Sequence, residues 1–317
     1  MEITILGRIG YDLYSEEPKV PLARVRRFSR YLGGSSANMA VGLSRLGAKV
    51  GIVSCLGTDS LSEFLVDFLK QESVDTRHVQ RRPGFVPSLS LTEISPPDSF
   101  PQVFYRRDPA DTEVDVGELE LDYLASAGMF ITNGTSLCAS PSRESTYRAM
   151  ERVREAGRRV VLDVDYRSMS WRNADEAGLA IRLALPFVDV LIGNDVELKL
   201  VAGTSDLDKA VAKLCKRVPL LVSKLGAQGT RVWVGEQSEF LAPYKIEVVS
   251  TIGAGDGFAS GFLYALRKDL PLLECLHYGN ATAALVVGGL SCSEAMPKLA
   301  EVKQMIEEQR PKRALHA

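Results

Sequence analysis

Residues 251–257, TIGAGDG, place three glycines and one acid in seven positions, just ahead of an apolar run. Glycine lets a backbone turn tightly and come close to a ligand. The following residues 258–268, FASGFLYALRK, repeat apolar side chains at helical spacing, so Gly253, Ala254 and Gly255 fall at a helix N-terminus. Free amides and the positive end of the helix dipole attract anions there. That suits the charge on a phosphoryl group in transfer. A carboxylate beside a phosphate is repulsive unless it has a task. For Asp256 the task would be to take the proton from an attacking hydroxyl. The plainer alternative is an N-cap turn in which the glycines serve only the backbone. No Gly-Lys-Ser/Thr follows, so this is not a Walker loop.

Other stretches carry chemistry too. Gly33 and Gly34 open GGSSANMAVGLSRLG (33–47), whose helical pattern bears Asn38, Ala40, Leu43 and Leu46. It fails as a dinucleotide loop, because the third glycine of GxGxxG is missing and no clean strand precedes it. Asp12 ends GRIGYD, either as a turn cap or as a grip on hydroxyl groups. Arg106 in FYRRDPAD (104–111) and Arg167 in DVDYRSMSW (163–171) offer planar forks that match carboxylate oxygens. Arg167 falls just past a strand end, where open α/β sheets bind ligands. A neutral sugar needs no such pair and a sugar acid does; local surface ion pairs are the alternative. GNDVE (193–197) sets Asn194 and Glu197 after a strand, a pattern equally suited to a helix cap. SKLGAQGT (223–230) brings Lys224, Gly226 and Gly229 after another strand, with Lys224 pointing to a ligand or to solvent.

These residues need a scaffold. Short β-branched runs at 3–7, 50–55, 129–133, 159–165, 188–193 and 219–224 read as strands. Amphipathic segments such as 142–157 and 206–217 alternate with them. Strand and helix in alternation imply an α/β fold with a largely parallel sheet covered on both faces. Two stretches, 12–33 and 85–111, break the rhythm and are expected to form a small β lid on one domain spanning 1–317. The tail from 307 is expected to fray.

Composition excludes several classes. A net charge of −2 gives no electrostatic reason to bind nucleic acid or an anionic membrane, and Arg24, Arg26 and Arg27 read as solvated surface. No run approaches the ~18 apolar residues of a membrane span, and the first residues, MEITILGRIG, read as a strand rather than a signal peptide. Five scattered cysteines without a CxxC pair and three histidines argue against disulfides or a zinc site. A cytoplasmic protein is expected.

TIGAGD, together with GGSSANMAVGLSRLG and Gly57, resembles the two signatures of the ribokinase-like (PfkB) carbohydrate kinases, in order and over essentially the whole chain. The resemblance implies a ribokinase-like three-layer α/β/α fold with a mostly parallel sheet and a small β lid. It makes Asp256 the base and Gly253, Ala254 and Gly255 the anion hole. Gly33 and Gly34 become the lid hinge, and Asp12 and Asn38 the grips on sugar hydroxyls. Asn194 and Glu197 would organise Mg²⁺ through water; Lys224, Gly226 and Gly229 would follow the ATP phosphates. Adenine would lie near 279–286, GNATAALV, beside Asn280. The family also suggests a K⁺ site and a homodimer through the lid. Within the family, FYRRDPAD, DYRSMSW and CSEAMP (292–297) are similar to the sugar-acid branch. That assigns Tyr105, Arg106 and Arg167 to a substrate carboxylate and implies transfer to the terminal hydroxyl of 5-dehydro-2-deoxygluconate in myo-inositol catabolism. A 2-keto-3-deoxygluconate kinase and a non-catalytic sugar-acid sensor are the alternatives. Two residues depart from the pattern: Ser168 stands where that branch has proline, and Ser250 where the family has aspartate.

Overall fold

A computed structural model describes residues 1–96 and 99–310. The chain begins with β1 (Ile3–Leu6), β2 (Gly10–Ser15), β3 (Phe28–Gly33), α1 (Ser35–Arg45), β4 (Val50–Leu56) and α2 (Ser60–Gln71). Next come β5 (Asp75–Arg81), β6 (Ser88–Thr92), β7 (Gln102–Tyr105), α3 (Leu121–Ser126), β8 (Met129–Asn133) and α4 (Ser142–Glu155). The middle holds β9 (Arg159–Asp163), α5 (Ala174–Ala184), β10 (Val190–Asn194), α6 (Asp195–Ala202), α7 (Leu207–Leu214) and β11 (Leu220–Lys224). It ends with β12 (Thr230–Val234), β13 (Gln237–Leu241), α8 (Ala254–Arg267), α9 (Leu272–Val287) and α10 (Leu299–Gln309).

Nine strands form the main sheet in the order β13-β12-β11-β10-β9-β8-β1-β4-β5. The seven strands from β11 to β5 run parallel, and only β12 and β13 are antiparallel. Successive side chains of a strand point to opposite faces, and here both faces are buried. Ile3 and Ile5 of β1, Ile131 of β8 and Val222 of β11 pack with Leu43 of α1, Phe262 of α8 and Leu276 of α9. Leu6, Phe130, Leu162 and Leu191 pack the other way, with Met150 of α4, Ile181 of α5 and Leu198 of α6. Fully burying one such side chain contributes about 1.5–3 kcal/mol, so the alternation fixes which helices cover which face.

The stretches that break the rhythm supply a second sheet, in the order β3-β2-β6-β7. β2 and β6 pair in parallel, β2 with β3 and β6 with β7 antiparallel. This sheet leaves the main one at Gly7, Arg8 and Ile9, between β1 and β2. It also corrects one expectation: a strand, β3, does precede the Gly33–Gly34 pair and ends at Gly33. Residues 307–309, expected to fray, complete α10; residues 311–317 lie outside those described.

Candidate active site

In a parallel sheet the carboxyl ends of the strands lie on one edge, and ligands bind there where the strand order reverses. β1 has β4 on one side and β8 on the other, so the reversal falls at β1. Arg8 follows β1, Asp165 and Arg167 follow β9, and Asn194 and Lys224 end β10 and β11. A cavity of about 850 Å³ lies against the ends of β9, β10 and β11, and Arg8 stands outside its wall. One part of its wall is apolar, with Ile246, Val248, Ala283, Ala284 and Val287. Another carries Asp163, Asp165, Arg167, Asn194, Glu197, Lys224 and Asp256. Gly226, Gly229, Gly253, Ala254, Gly255 and Asn280 complete it, so most of the expected site residues share one space.

Gly253 caps α8 with φ +84°, a left-handed conformation that favours glycine. A Cβ there would also stand 2.6 Å from the Cys292 sulfur beneath it. The turn leaves the amides of Gly253, Gly255 and Asp256 without an acceptor among the described residues, as the first turn of a helix must. A Cβ on Gly255 would meet only the Lys224 ammonium, at 3.5 Å, so this position keeps the space between the amides and Lys224 open.

Asp256 is held from across the sequence. Ser35 Oγ donates to its Oδ1 and Asn38 Nδ2 to its Oδ2, each at 2.7 Å. Both donors sit in the first turn of α1, which the Gly33–Gly34 turn aims at α8. Burial raises the Asp256 pKa, and the charge of Asp165 adds to this, while Asn38, Ser35 and Arg167 pull it down. A carboxylate oxygen has two lone pairs, so each can still accept a substrate hydroxyl. Asn38 Oδ1 is buried without a partner, an acceptor free for a second hydroxyl. Asp12, in β2, accepts from Ser90 Oγ at 2.7 Å, and burial raises its pKa as well. Its carboxylate lies over Gly33, where any Cβ would strike it.

Several expected contacts take another form. Arg106 is closed by its own segment: Nη1 and Nη2 donate to the two oxygens of Asp111 at 2.8 and 2.6 Å, and Nε to Ser170 Oγ at 3.0 Å. Its fork is therefore occupied by a protein carboxylate, and it does not line the cavity. Tyr105 is 64% exposed on β7 and is also absent from the cavity wall. Asn280 lines the cavity, but its amide donates to the Leu241 and Ala242 carbonyls and accepts from Thr230, fastening α9 to the β12–β13 hairpin. Lys224 points neither to solvent nor solely to a ligand, since its ammonium pairs with both oxygens of Asp163 at 3.0 Å. Burial raises the Asp163 pKa and Lys224 lowers it. Arg167 does face the cavity, paired with Asp165 at 2.9 Å. Asp165 has φ +35°, strain for a non-glycine residue of the kind that clusters at functional sites.

Asn194 and Glu197 form a reciprocal capping box on α6, with Glu197 also accepting the Tyr166 amide. Both side chains are thus engaged by backbone amides, so an ion beside them would keep its water, as Mg²⁺ prefers. Ser35, Ser90, Asp163 and Asp165 carry no role in a reading of the sequence. Asp163 and Asp165 lie within DVDYRSMSW, visible there, but the two serines reveal themselves only through contacts across long separations.

Comparisons with known proteins bear on the family and the fold. The model for "pfkB family carbohydrate kinase" matches residues 2–299. A 5-dehydro-2-deoxygluconokinase from Clostridium tetani is 33% identical, covering 98% of this chain and 94% of that protein. One from Shouchella clausii is 35% identical, with 97% and 96% covered. Among solved structures, fructokinase with bound ATP from Xylella fastidiosa superposes with a TM-score of 0.87 at 26% identity, covering 98% of this chain and 99% of that one. Matched by a family model over residues 2–299 and 33% identical to a relative along 98% of its length, the chain belongs to the pfkB family of carbohydrate kinases.

Proposed function

We propose that this kinase transfers the γ-phosphoryl group of ATP to the terminal hydroxyl of 5-dehydro-2-deoxygluconate. The observation that carries the reaction is Asp256, held by Ser35 and Asn38 directly beside the free amides of α8. The full-length similarity to 5-dehydro-2-deoxygluconokinases supports the substrate. ATP, present in the Xylella fastidiosa fructokinase, is proposed to lay its base on the apolar wall by Ala283 and Ala284 and its phosphates along Gly226, Gly229 and Lys224. Bound Mg²⁺ would neutralise phosphate charge, its water shell facing Asn194 and Glu197. Asp256 takes the hydroxyl proton as the oxygen attacks. The amides of Gly253 and Gly255 stabilise the charge on the moving group. Asp12, Asn38 and Arg167 hold the acid, and the β2-β3-β6-β7 sheet acts as a lid that excludes water. A K⁺ site finds no carboxylate at Ser250, a buried hydroxyl already engaged by the Ile252 amide. Turnover in K⁺ and Na⁺ buffers should therefore agree within ~2-fold, and a larger K⁺ stimulation would reinstate the site. All five cysteines are free, which fits a reducing cytoplasm.

The test is ADP release with MgATP and a panel of 5-dehydro-2-deoxygluconate, 2-keto-3-deoxygluconate, ribose and fructose. Turnover of the first above all others is expected. Preference for the second would keep the mechanism and change the substrate; turnover of neutral sugars alone would remove the acid reading. No ADP with any of them would leave a sensor.

A further inference from the structure

We propose that Arg8, with Ser88 beside it, receives the carboxylate of the sugar acid. The proposal rests on the reading above and names the group that makes this site one for an acid. Arg8 lies on the crossover between β1 and β2, at the carboxyl end of the strand where the sheet order reverses. It is 7% exposed, yet among the described residues its guanidinium has no hydrogen bond and no ion pair, and its Nε is enclosed without an acceptor. The surrounding charged groups each have a hydrogen-bond or ion-pair partner. Arg106 is taken by Asp111, Arg167 by Asp165, Asp12 by Ser90, and Asp256 by Ser35 and Asn38. Burial and the charge of Arg106 both disfavour a cation at Arg8, while Asp165, Asp111 and Asp12 favour it only from a distance.

Ser88 supplies an independent observation. Its hydroxyl is also buried without a partner. The position between the two is Gly10, where a Cβ would stand 3.2 Å from both Arg8 Nη1 and Ser88 Oγ. A Cβ there would also press on the Gly33 backbone at 3.4 Å, so glycine lets the fork and the hydroxyl donor approach one point. The Arg8 carbonyl accepts the Ala37 amide at 3.3 Å, which sets this pair of donors beside the α1 turn that holds Asp256. A buried polar group without a partner is costly, and an arriving carboxylate would satisfy both donors at once. The substrate then lies with its acid end at Arg8 and its terminal hydroxyl at Asp256.

The experiment compares 5-dehydro-2-deoxygluconate with its carboxamide as phosphoryl acceptors, in the wild type and in Arg8→Met, Arg8→Lys and Ser88→Ala. The wild type should prefer the acid by ~10²-fold in kcat/KM, as a charge-assisted fork predicts. Arg8→Met should reduce that preference to within ~3-fold, mainly through KM for the acid, with Arg8→Lys and Ser88→Ala between. Because the cation is unpaired without ligand, Arg8→Met should melt no lower than the wild type. An acid preference that survives Arg8→Met, or a Tm lowered by more than ~4 °C, would make Arg8 structural and overturn the proposal. If the wild type turns over neither acid nor amide, the proposed function itself fails, and Arg8 falls with it.

Discussion

Asp256 unites a residue legible in the sequence with one that was not. The glycines around it announce a turn for an anion, and an acid in such a turn needs a chemical reason. Its donor Ser35 lies 221 positions away, and nothing local marks that pairing. Changing Asp256→Asn should lower kcat by ~10²-fold or more while KM for ATP stays near the wild-type value; steady-state kinetics check this, and unchanged turnover would remove Asp256 from the mechanism. The pH dependence follows from burial. A base works only when deprotonated, so kcat/KM should fall as pH drops through the raised Asp256 pKa, on a limb above the ordinary aspartate value of ~3.9. Asn38 holds that pKa down, so Asn38→Ala should move the limb to higher pH; a limb that stays or moves down contradicts the assignment. For Arg106 the sequence leaves a ligand and a local ion pair equally open. Asp111, five residues on, is as good a partner as a ligand, and only coordinates show which is taken.

The elements divide along the same line. Strands β1, β8 and β10 were legible because burial on both faces leaves a nearly continuous apolar run. β5 (DTRHVQR) and β13 (QSEFL) were not, since at the sheet's edges their mostly polar sequences carry no such signal. β3 escaped because FSRYLG is only partly buried until its last two residues. The start of α8 is where an element and its chemistry coincide. Gly253→Ala must adopt a positive φ and meet the Cys292 side chain at 2.6 Å. We expect a loss of ~1–3 kcal/mol in stability by denaturant melts, typical of backbone strain. The displaced amides should lower kcat at least ~10-fold in the folded variant. A variant with full stability and activity would show that the turn tolerates a side chain.

At the scale of the molecule, alternation of strand and helix was enough to foresee one layered fold, because parallel strands require crossovers long enough to hold a helix. What alternation cannot convey is which copies of the chain meet. The second sheet ends in β7, an edge strand carrying Val103 and Tyr105 exposed, with Val86 exposed nearby. Such an edge invites pairing, and we propose a homodimer through it. Sedimentation should give a dimer for the wild type and a monomer for Val103→Glu with Tyr105→Arg; a monomeric wild type would end the idea. A last consequence concerns synthesis. The sheet face covered by α4, α5 and α6 is complete once the middle of the chain has left the ribosome. The opposite face, with Ile3, Ile5, Ile131 and Val222, waits for Phe262 of α8 and Leu276 of α9. A nascent chain ending before residue 254 thus presents a broad bare apolar surface, the condition that makes growing chains depend on chaperones. The residues that finish the active site are the same ones that end that dependence.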